Sequence, residues 1–148
     1  TYLFSKLALP LLKESENPHI LNLSPPLNMD PQWFKNHLAY TMAKYGMSMC
    51  VLGMSAEFKR IPIAVNALWP KTGIATAAIE MLAGKEGLQA CRTPEIMADA
   101  TLAVVKRKAE ENTGNFFIDE EILAQEGITD LEKYAVNPKV KLLQDFFI

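Results

Sequence analysis

Tyr40-Thr41-Met42-Ala43-Lys44 is the stretch on which the interpretation of this sequence depends. It lies within a helical pattern that is predicted to run from Pro31 to about Phe58. Asp30 and Pro31 form a favourable helix start, since aspartate is a preferred N-cap and proline fits the first helical turn. Residues four apart share one helix face, so the side chains of Tyr40 and Lys44 are expected to lie close together. Apolar residues cover several faces, which indicates burial in a core and against a second subunit.

The apolar run His19–Leu23 precedes this helix, and its flanking prolines predict a short buried strand that ends at Ser24. Two more strands are predicted at 61–69 and 115–118, and further helices at 2–14, 75–82, 95–108 and 119–125. Strands that alternate with helices form parallel βαβ units, so an α/β fold with about three strands is expected. Because the first strand would be an open edge, either the chain is the C-terminal half of a larger sheet or something else covers that edge.

Composition excludes several classes of protein. The 148 residues are 49% hydrophobic and 22% charged, with a net charge of −2, which argues against a general nucleic-acid or anionic-membrane surface. No apolar run approaches the ~20 residues of a membrane span. The two cysteines and two histidines lack ligand spacing, so no metal site is expected. Free thiols suit a reducing compartment, and a cytoplasmic or other intracellular location is therefore expected.

The Tyr40 and Lys44 pair suggests proton transfer. A tyrosine has a pKa of about 10, and an ammonium within ~4–6 Å favours the phenolate and lowers that pKa. Ser24, at the strand end, could hydrogen-bond the same substrate oxygen. Such groups suit chemistry at a carbonyl or alcohol oxygen, with hydride supplied by a cofactor. Spacing alone is weak support, because Tyr2 and Lys6 are also four apart, and a helix tyrosine near a lysine is commonly structural.

Several motifs in order resemble the second half of the short-chain dehydrogenase/reductase family: Asn22-Leu23-Ser24, Tyr40-x-x-x-Lys44 and Val65-Asn66-Ala67-Leu68-Trp69-Pro70. The wider pattern, including Gly114-Asn-Phe-Phe-Ile-Asp, is similar to that of hydroxysteroid dehydrogenase-like proteins. The resemblance implies a Rossmann-type doubly wound parallel sheet. It also implies that residues 1–148 are the C-terminal part of one domain, without the glycine-rich N-terminal half that binds the cofactor pyrophosphate.

The same resemblance implies roles for particular residues. Tyr40 would be the catalytic acid/base, Lys44 would tune its pKa and bind the nicotinamide ribose, and Ser24 would bind the substrate oxygen. NAD or NADP is the implied cofactor, a small carbonyl or alcohol compound the implied substrate, and a homodimer or homotetramer the implied assembly. The residues expected to contact the cofactor are Tyr40, Lys44, Pro70, Thr72, Ile74 and Thr76.

Two other functions remain open from the residues alone. The broad apolar helix and the absent cofactor half also suit a non-catalytic oligomerisation or scaffold module. The aromatic and methionine content would suit a lipid or sterol carrier, although core packing explains that content better. Trp33, Phe34 and Trp69 could line a substrate site or belong to the core.

Overall fold

A computed structural model describes residues 1–148 and confirms the α/β class. In chain order the helices and strands are α1 (Tyr2–Leu12), β1 (His19–Leu23), α2 (Leu38–Glu57), β2 (Ala64–Trp69), α3 (Ala77–Leu88), α4 (Glu95–Val105), β3 (Phe116–Ile118) and α5 (Asp119–Gln125). Short 3-10 turns occupy Pro31–Trp33, Phe58–Arg60, Ala109–Glu111 and Glu132–Tyr134.

The three strands form one sheet in the order β1-β2-β3. β1 pairs with β2 in parallel, with His19 opposite Ala64 and Leu23 opposite Leu68. Every residue of β2 is buried, as expected of a central strand covered on both faces. β1 is an edge strand of this sheet and is only partly buried, which agrees with the open edge expected from the sequence.

The chain divides into two compact units. The first comprises residues 1–69 and 105–117 together with Phe147. Its core is an apolar cluster in which α2 packs on β2 and the turn between them: Val51, Met54, Phe58, Ile63, Val65 and Ala67. Apolar side chains of α1 and β1 pack against this cluster, so the first unit contains the layered helix-and-sheet part of the fold.

The second unit comprises residues 70–104 and 118–146 together with Ile148. Its buried apolar side chains come mainly from α4 and α5, including Ile96, Val104 and Leu123. It also contains a largely buried ion pair, in which the Arg92 guanidinium lies 2.7 Å from the Glu120 carboxylate. Arg92 donates a further hydrogen bond to a backbone carbonyl, so its charge is well compensated where it is buried.

The helix that carries Tyr40 begins later than predicted. Asp30 does act as a cap, since its carboxylate accepts a hydrogen bond from the Gln32 N–H at 2.9 Å. It starts only the 3-10 turn at Pro31–Trp33, and α2 begins at Leu38. Asn36 lies between them with φ of 66°, a left-handed conformation that a right-handed helix cannot contain. The predicted single helix is therefore two elements.

Other boundaries also differ from the prediction. α3 extends beyond the predicted range 75–82 to Leu88, and Gly84, with φ of 68°, kinks this helix without ending it. The 3-10 turn Glu132–Tyr134 has no side-chain cap at Leu131, and the Glu132 N–H donates instead to the Asp130 carboxylate at 3.1 Å. β2 begins at Ala64 rather than 61, and α4 ends at Val105 rather than 108.

Candidate active site

Tyr40 lies in the first turns of α2, where its side chain is half-exposed, with 46% of its surface accessible. Its ring stacks on the ring of Phe147, with centroids 6.0 Å apart and planes inclined by 11°. This offset stacking is one of the favoured geometries for aromatic pairs. The tyrosine is therefore accessible to a small molecule but held against a second aromatic ring.

Lys44 follows one helical turn later and reaches the end of β1. Its ammonium donates a hydrogen bond to the Leu23 carbonyl at 3.0 Å and lies 5.1 Å from the centre of the Trp69 ring. Leu23 and Trp69 are the last residues of neighbouring parallel strands, β1 and β2. The ammonium thus lies at the carboxyl ends of the strands, where open α/β sheets bind their ligands.

Ser24 comes directly after the Leu23 carbonyl that Lys44 contacts, and it is fully buried, with 0% of its surface accessible. Its hydroxyl oxygen has no hydrogen-bond partner. A buried hydroxyl without a partner is costly and calls for an explanation such as a ligand. Lys44 thus contacts the residue before Ser24. The Ser24 hydroxyl, however, is shielded from solvent, whereas Tyr40 is accessible.

The residues predicted to contact the nicotinamide lie in the second unit, on the segment 70–76. Thr72 is buried, and its hydroxyl oxygen has no hydrogen-bond partner. Ile74 and Pro70 are half-buried, whereas Thr76 is exposed and precedes α3 without capping it through its side chain. Of these four, Thr72 therefore offers the clearest unfilled polar group.

Backbone hydrogen bonds hold segment 70–76 in place. The Gly73 N–H donates to the Leu143 carbonyl at 2.8 Å, and the Gly73 carbonyl accepts from the Arg92 N–H at 2.9 Å. A β-carbon at Gly73 would lie 3.1 Å from the Cys91 sulfur, so a larger residue would crowd this contact. The segment is thus fixed on two sides by its own unit.

Asp119 also anchors this segment, which sequence reasoning missed. The acidic run at 119–121 has the composition of an ordinary helix start, which gives no sign of a contact with segment 70–76. In the structure Asp119 is completely buried, and its carboxylate accepts from the Lys71 N–H at 2.9 Å and the Glu120 N–H at 2.8 Å. Burial raises the pKa of this carboxyl, and the two backbone hydrogen bonds act in the opposite direction.

Phe147 is the other residue that the sequence did not assign. Its ring is surrounded by four aromatic rings of the first unit, at centroid distances from 5.1 to 6.0 Å. We refer to these five residues as the aromatic cluster: Trp33, Tyr40, Tyr45, Trp69 and Phe147. Phe147 belongs to the apolar segment 142–148, and its side chain is buried. The only sequence signal for Phe147 is the hydrophobicity of its segment, which does not identify the residues that it packs against.

Two surface grooves lie in the first unit, and neither is lined by the predicted catalytic residues. One, of about 320 Å³, lies between Tyr2 and the side of α2 that carries Met49 and Gly53. The other, of about 440 Å³, runs between α1 and the edge strand β1. No helix of the chain is both long and apolar enough to cross a membrane.

No family model matches the chain. It is 62% identical over its whole length to hydroxysteroid dehydrogenase-like protein 2 of Xenopus laevis and 56% identical to the protein of the same name of Homo sapiens. A crystal structure of a Xanthomonas campestris protein is 52% identical and superimposes with a TM-score of 0.94 over 99% of the chain. A short-chain dehydrogenase from Mycobacterium thermoresistibile is 41% identical, with a TM-score of 0.88 over 97% of the chain.

The chain is thus similar, along nearly all of its length, to hydroxysteroid dehydrogenase-like proteins and to a short-chain dehydrogenase of known structure. It spans 35% of the length of the two curated relatives, 54% of the Xanthomonas campestris structure and 51% of the Mycobacterium thermoresistibile structure. The crystal structure of an angucycline C-6 ketoreductase with bound NADP shares the fold at 21% identity, with a TM-score of 0.59. The expected resemblance and the Rossmann-type α/β class are thus confirmed, and the chain has the fold of these dehydrogenase structures.

Proposed function

We propose that this chain belongs to the short-chain dehydrogenase/reductase family and carries the proton-transfer residues of an NAD(P)-dependent oxidoreductase that interconverts a carbonyl and a secondary alcohol. The observation that carries the proposal is the position of Lys44. Lys44 follows Tyr40 by one turn of α2, and its ammonium donates a hydrogen bond to the Leu23 carbonyl, at the edge of the sheet where open α/β sheets bind ligands. The buried, unpartnered hydroxyl of Ser24 follows in the next residue.

Each of these residues has a role that follows from its chemistry. The Tyr40 phenol donates a proton to the carbonyl oxygen as it is reduced, and accepts one from the alcohol in the reverse direction. The positive charge of Lys44 stabilises the negative charge that develops on the Tyr40 oxygen. The role assigned to Ser24 is a hydrogen bond to the substrate oxygen, for which its hydroxyl has no competing partner within the chain. The nicotinamide cofactor, when bound, supplies or removes the hydride, which no side chain can carry.

The segment 70–76 fits the nicotinamide end of the cofactor. The Thr72 hydroxyl is buried without a partner, and can donate to or accept from an amide such as a carboxamide. The apolar side chains of Pro70 and Ile74 can pack on the flat ring, and Thr76, at the start of α3, can contact the polar part of the ligand. The ketoreductase that holds NADP has the same fold, which supports a nicotinamide cofactor for this chain.

We also propose that residues 1–148 form the C-terminal part of a larger sheet domain. β1 is an edge strand, and a groove of about 440 Å³ runs along it. Unpaired strand edges are normally covered or paired in native proteins. The solved relatives are about twice as long as the region they share with this chain, which supports a further set of strands beyond β1. The pyrophosphate would be bound by that other half.

The proposal is tested with the intact protein by titrating NADH and NADPH and measuring carbonyl reduction. Lys44→Met keeps the apolar stem but removes the ammonium, and should lower kcat about 100-fold and weaken cofactor binding. Lys6→Met is the matched control, because Lys6 is also four residues after a tyrosine, and should leave both unchanged. Equal kinetics for the two variants would refute the role of Lys44.

A scaffold function remains the second candidate, on a specific observation. α2 exposes apolar side chains on the surface of this chain, including Leu38, Met42 and Met49, as expected of a helix that pairs with another subunit. A homodimer or homotetramer is therefore proposed with either function. Failure of the intact protein to bind either cofactor, together with stable self-association in light scattering, would favour the scaffold over the enzyme.

A further inference from the structure

We propose that Phe147 is a positioning residue for Tyr40. This inference rests on the proposed function, since it assigns Phe147 the task of holding the phenol in the orientation that proton transfer needs. Phe147 acts through the tyrosine ring and has no chemical step of its own. Its ring is the flat surface on which Tyr40 lies, with 6.0 Å between centroids and 11° between planes.

The need for such a residue follows from the position of Tyr40. The tyrosine lies on the surface of α2 with 46% of its area accessible, so the helix itself holds little of the ring. A half-exposed side chain changes rotamer on the picosecond to nanosecond timescale unless contacts restrict it. A parallel ring against one face limits both rotation and tilt of the phenol, because either movement breaks the stack.

Phe147 can serve as that surface because it is itself fixed. Only 4% of its area is accessible, and its ring lies 5.1 Å from the Tyr45 ring centre and 5.9 Å from that of Trp69. Tyr45 is in turn fixed by its hydroxyl, which donates to the Asn28 carbonyl at 2.6 Å. The orientation of Tyr40 thus depends on a chain of buried contacts that leads to the core.

The backbone of Phe147 supports the same inference. Its φ is 78°, in the left-handed region that bulky residues other than glycine rarely adopt. Such conformations persist where the surrounding structure determines them, and they concentrate at functional sites. Here the unfavourable backbone conformation accompanies the insertion of the ring between Tyr40 and the buried part of the aromatic cluster.

The effect expected on catalysis is geometric. Proton transfer needs the phenol oxygen within hydrogen-bond reach of the reacting oxygen, and a displacement of ~1 Å can lower a rate about 100-fold. Loss of the stack should therefore lower kcat more than it raises KM. The effect should be smaller than that of removing the Tyr40 hydroxyl, because the acid/base group remains present.

The test uses the intact protein with two substitutions at Phe147. Phe147→Leu keeps an apolar side chain but removes the flat ring, and should lower kcat about tenfold with KM for the cofactor within about twofold of the wild type. Phe147→Tyr keeps the ring and should restore most of kcat. Phe58→Leu is the matched control, since Phe58 is also buried in the first unit but belongs to the apolar cluster. It should lower thermal stability and leave kcat per folded molecule unchanged.

Three results would overturn the proposal. The first is an unchanged kcat in Phe147→Leu, and the second is an equal loss of kcat in Phe147→Leu and Phe147→Tyr. The third is a higher kcat in Phe147→Leu, which would show that the ring obstructs the substrate. A separate variant tests the proposed function itself. If Tyr40→Phe turned over at the wild-type rate, Tyr40 would have no catalytic role for Phe147 to support. If Tyr40→Phe lost turnover while Phe147→Leu kept the wild-type kcat, only the positioning role of Phe147 would be rejected.

Discussion

Asn66→Leu should destabilise the first unit strongly, because Asn66 connects the central strand to the segment that leads into β3. Asn66 is 1% exposed within β2. Its amide donates to the Asn112 carbonyl at 2.7 Å, and its oxygen accepts from the backbone N–H of Asn115 at 2.9 Å and from the Asn115 side chain at 3.1 Å. Leucine has a similar size but can make none of these three bonds.

The magnitude follows from those three bonds. Each is worth about 1 kcal/mol net, and partners left unpaired cost about 1–3 kcal/mol each where water cannot reach them. Asn112 and Asn115 are only half-buried, so water replaces part of the loss, and burial of the leucine side chain offsets another part. We expect a loss of about 2–4 kcal/mol in the free energy of unfolding.

Urea unfolding of the intact protein, followed by circular dichroism, measures this loss. With a slope near 2 kcal/mol/M, a 3 kcal/mol loss moves the midpoint down by about 1.5 M. Asn28→Leu is the matched control, because Asn28 is exposed and its side chain accepts only a local bond from the Asp30 N–H. A shift in Asn66→Leu no larger than in this control would show that the asparagine network contributes little and would refute the reasoning.

Two further substitutions test other parts of the structure. Gly114→Ala should lower the free energy of unfolding by about 1–2 kcal/mol in urea. Gly114 has φ of 80°, and an added β-carbon would lie 3.2 Å from the Ser55 hydroxyl oxygen. An unchanged urea midpoint would contradict this prediction. Burial raises the pKa of Asp119 above its ordinary value of 3.8, so the folded state holds the proton more tightly than the unfolded chain. The stability that this carboxyl contributes is therefore fully present below about pH 3.8 and is lost as the pH rises through the folded pKa. In the Asp119→Asn variant the side chain cannot ionise but keeps an oxygen acceptor for the Lys71 N–H. The stability of this variant, measured by thermal unfolding, should therefore fall less than that of the wild type between about pH 4 and about pH 7. Identical pH profiles would contradict the assignment.

Local sequence signals predicted much of the fold. Proline boundaries located β1, which spans His19–Leu23 as expected, and α5 likewise spans Asp119–Gln125. The apolar run at 61–69 predicted a second strand, and the structure has β2 at Ala64–Trp69. These elements are specified by residues within a few positions of one another, so the sequence alone was sufficient.

Features that depend on distant residues could not be predicted in the same way. Asn36 adopts a left-handed conformation that its sequence context does not require, and the helix expected from Pro31 therefore begins at Leu38. The role of Asp119 depends on the Lys71 backbone, 48 positions away, and Phe147 meets Tyr40 more than a hundred residues along the chain. No local pattern specifies such pairs.

The candidate site was predicted in part. The order of Ser24, Tyr40 and Lys44 along the chain indicated their chemistry, and the structure brings Lys44 to the strand end beside Ser24. The catalytic roles of all three remain predictions. Side-chain accessibility was beyond the sequence, because the burial of Ser24 and the exposure of Tyr40 depend on the packing of the whole unit.

The central claim is that the Tyr40 hydroxyl transfers the proton during hydride transfer. Its most direct test is the single-turnover rate of hydride transfer in the intact protein, followed by nicotinamide absorbance with saturating cofactor. We predict that Tyr40→Phe lowers this rate at least 100-fold, whereas Tyr2→Phe, at the exposed tyrosine that also stands four residues before a lysine, leaves it within about threefold of the wild type. Comparable rates for Tyr40→Phe and the wild type, at equal cofactor occupancy, would contradict the account.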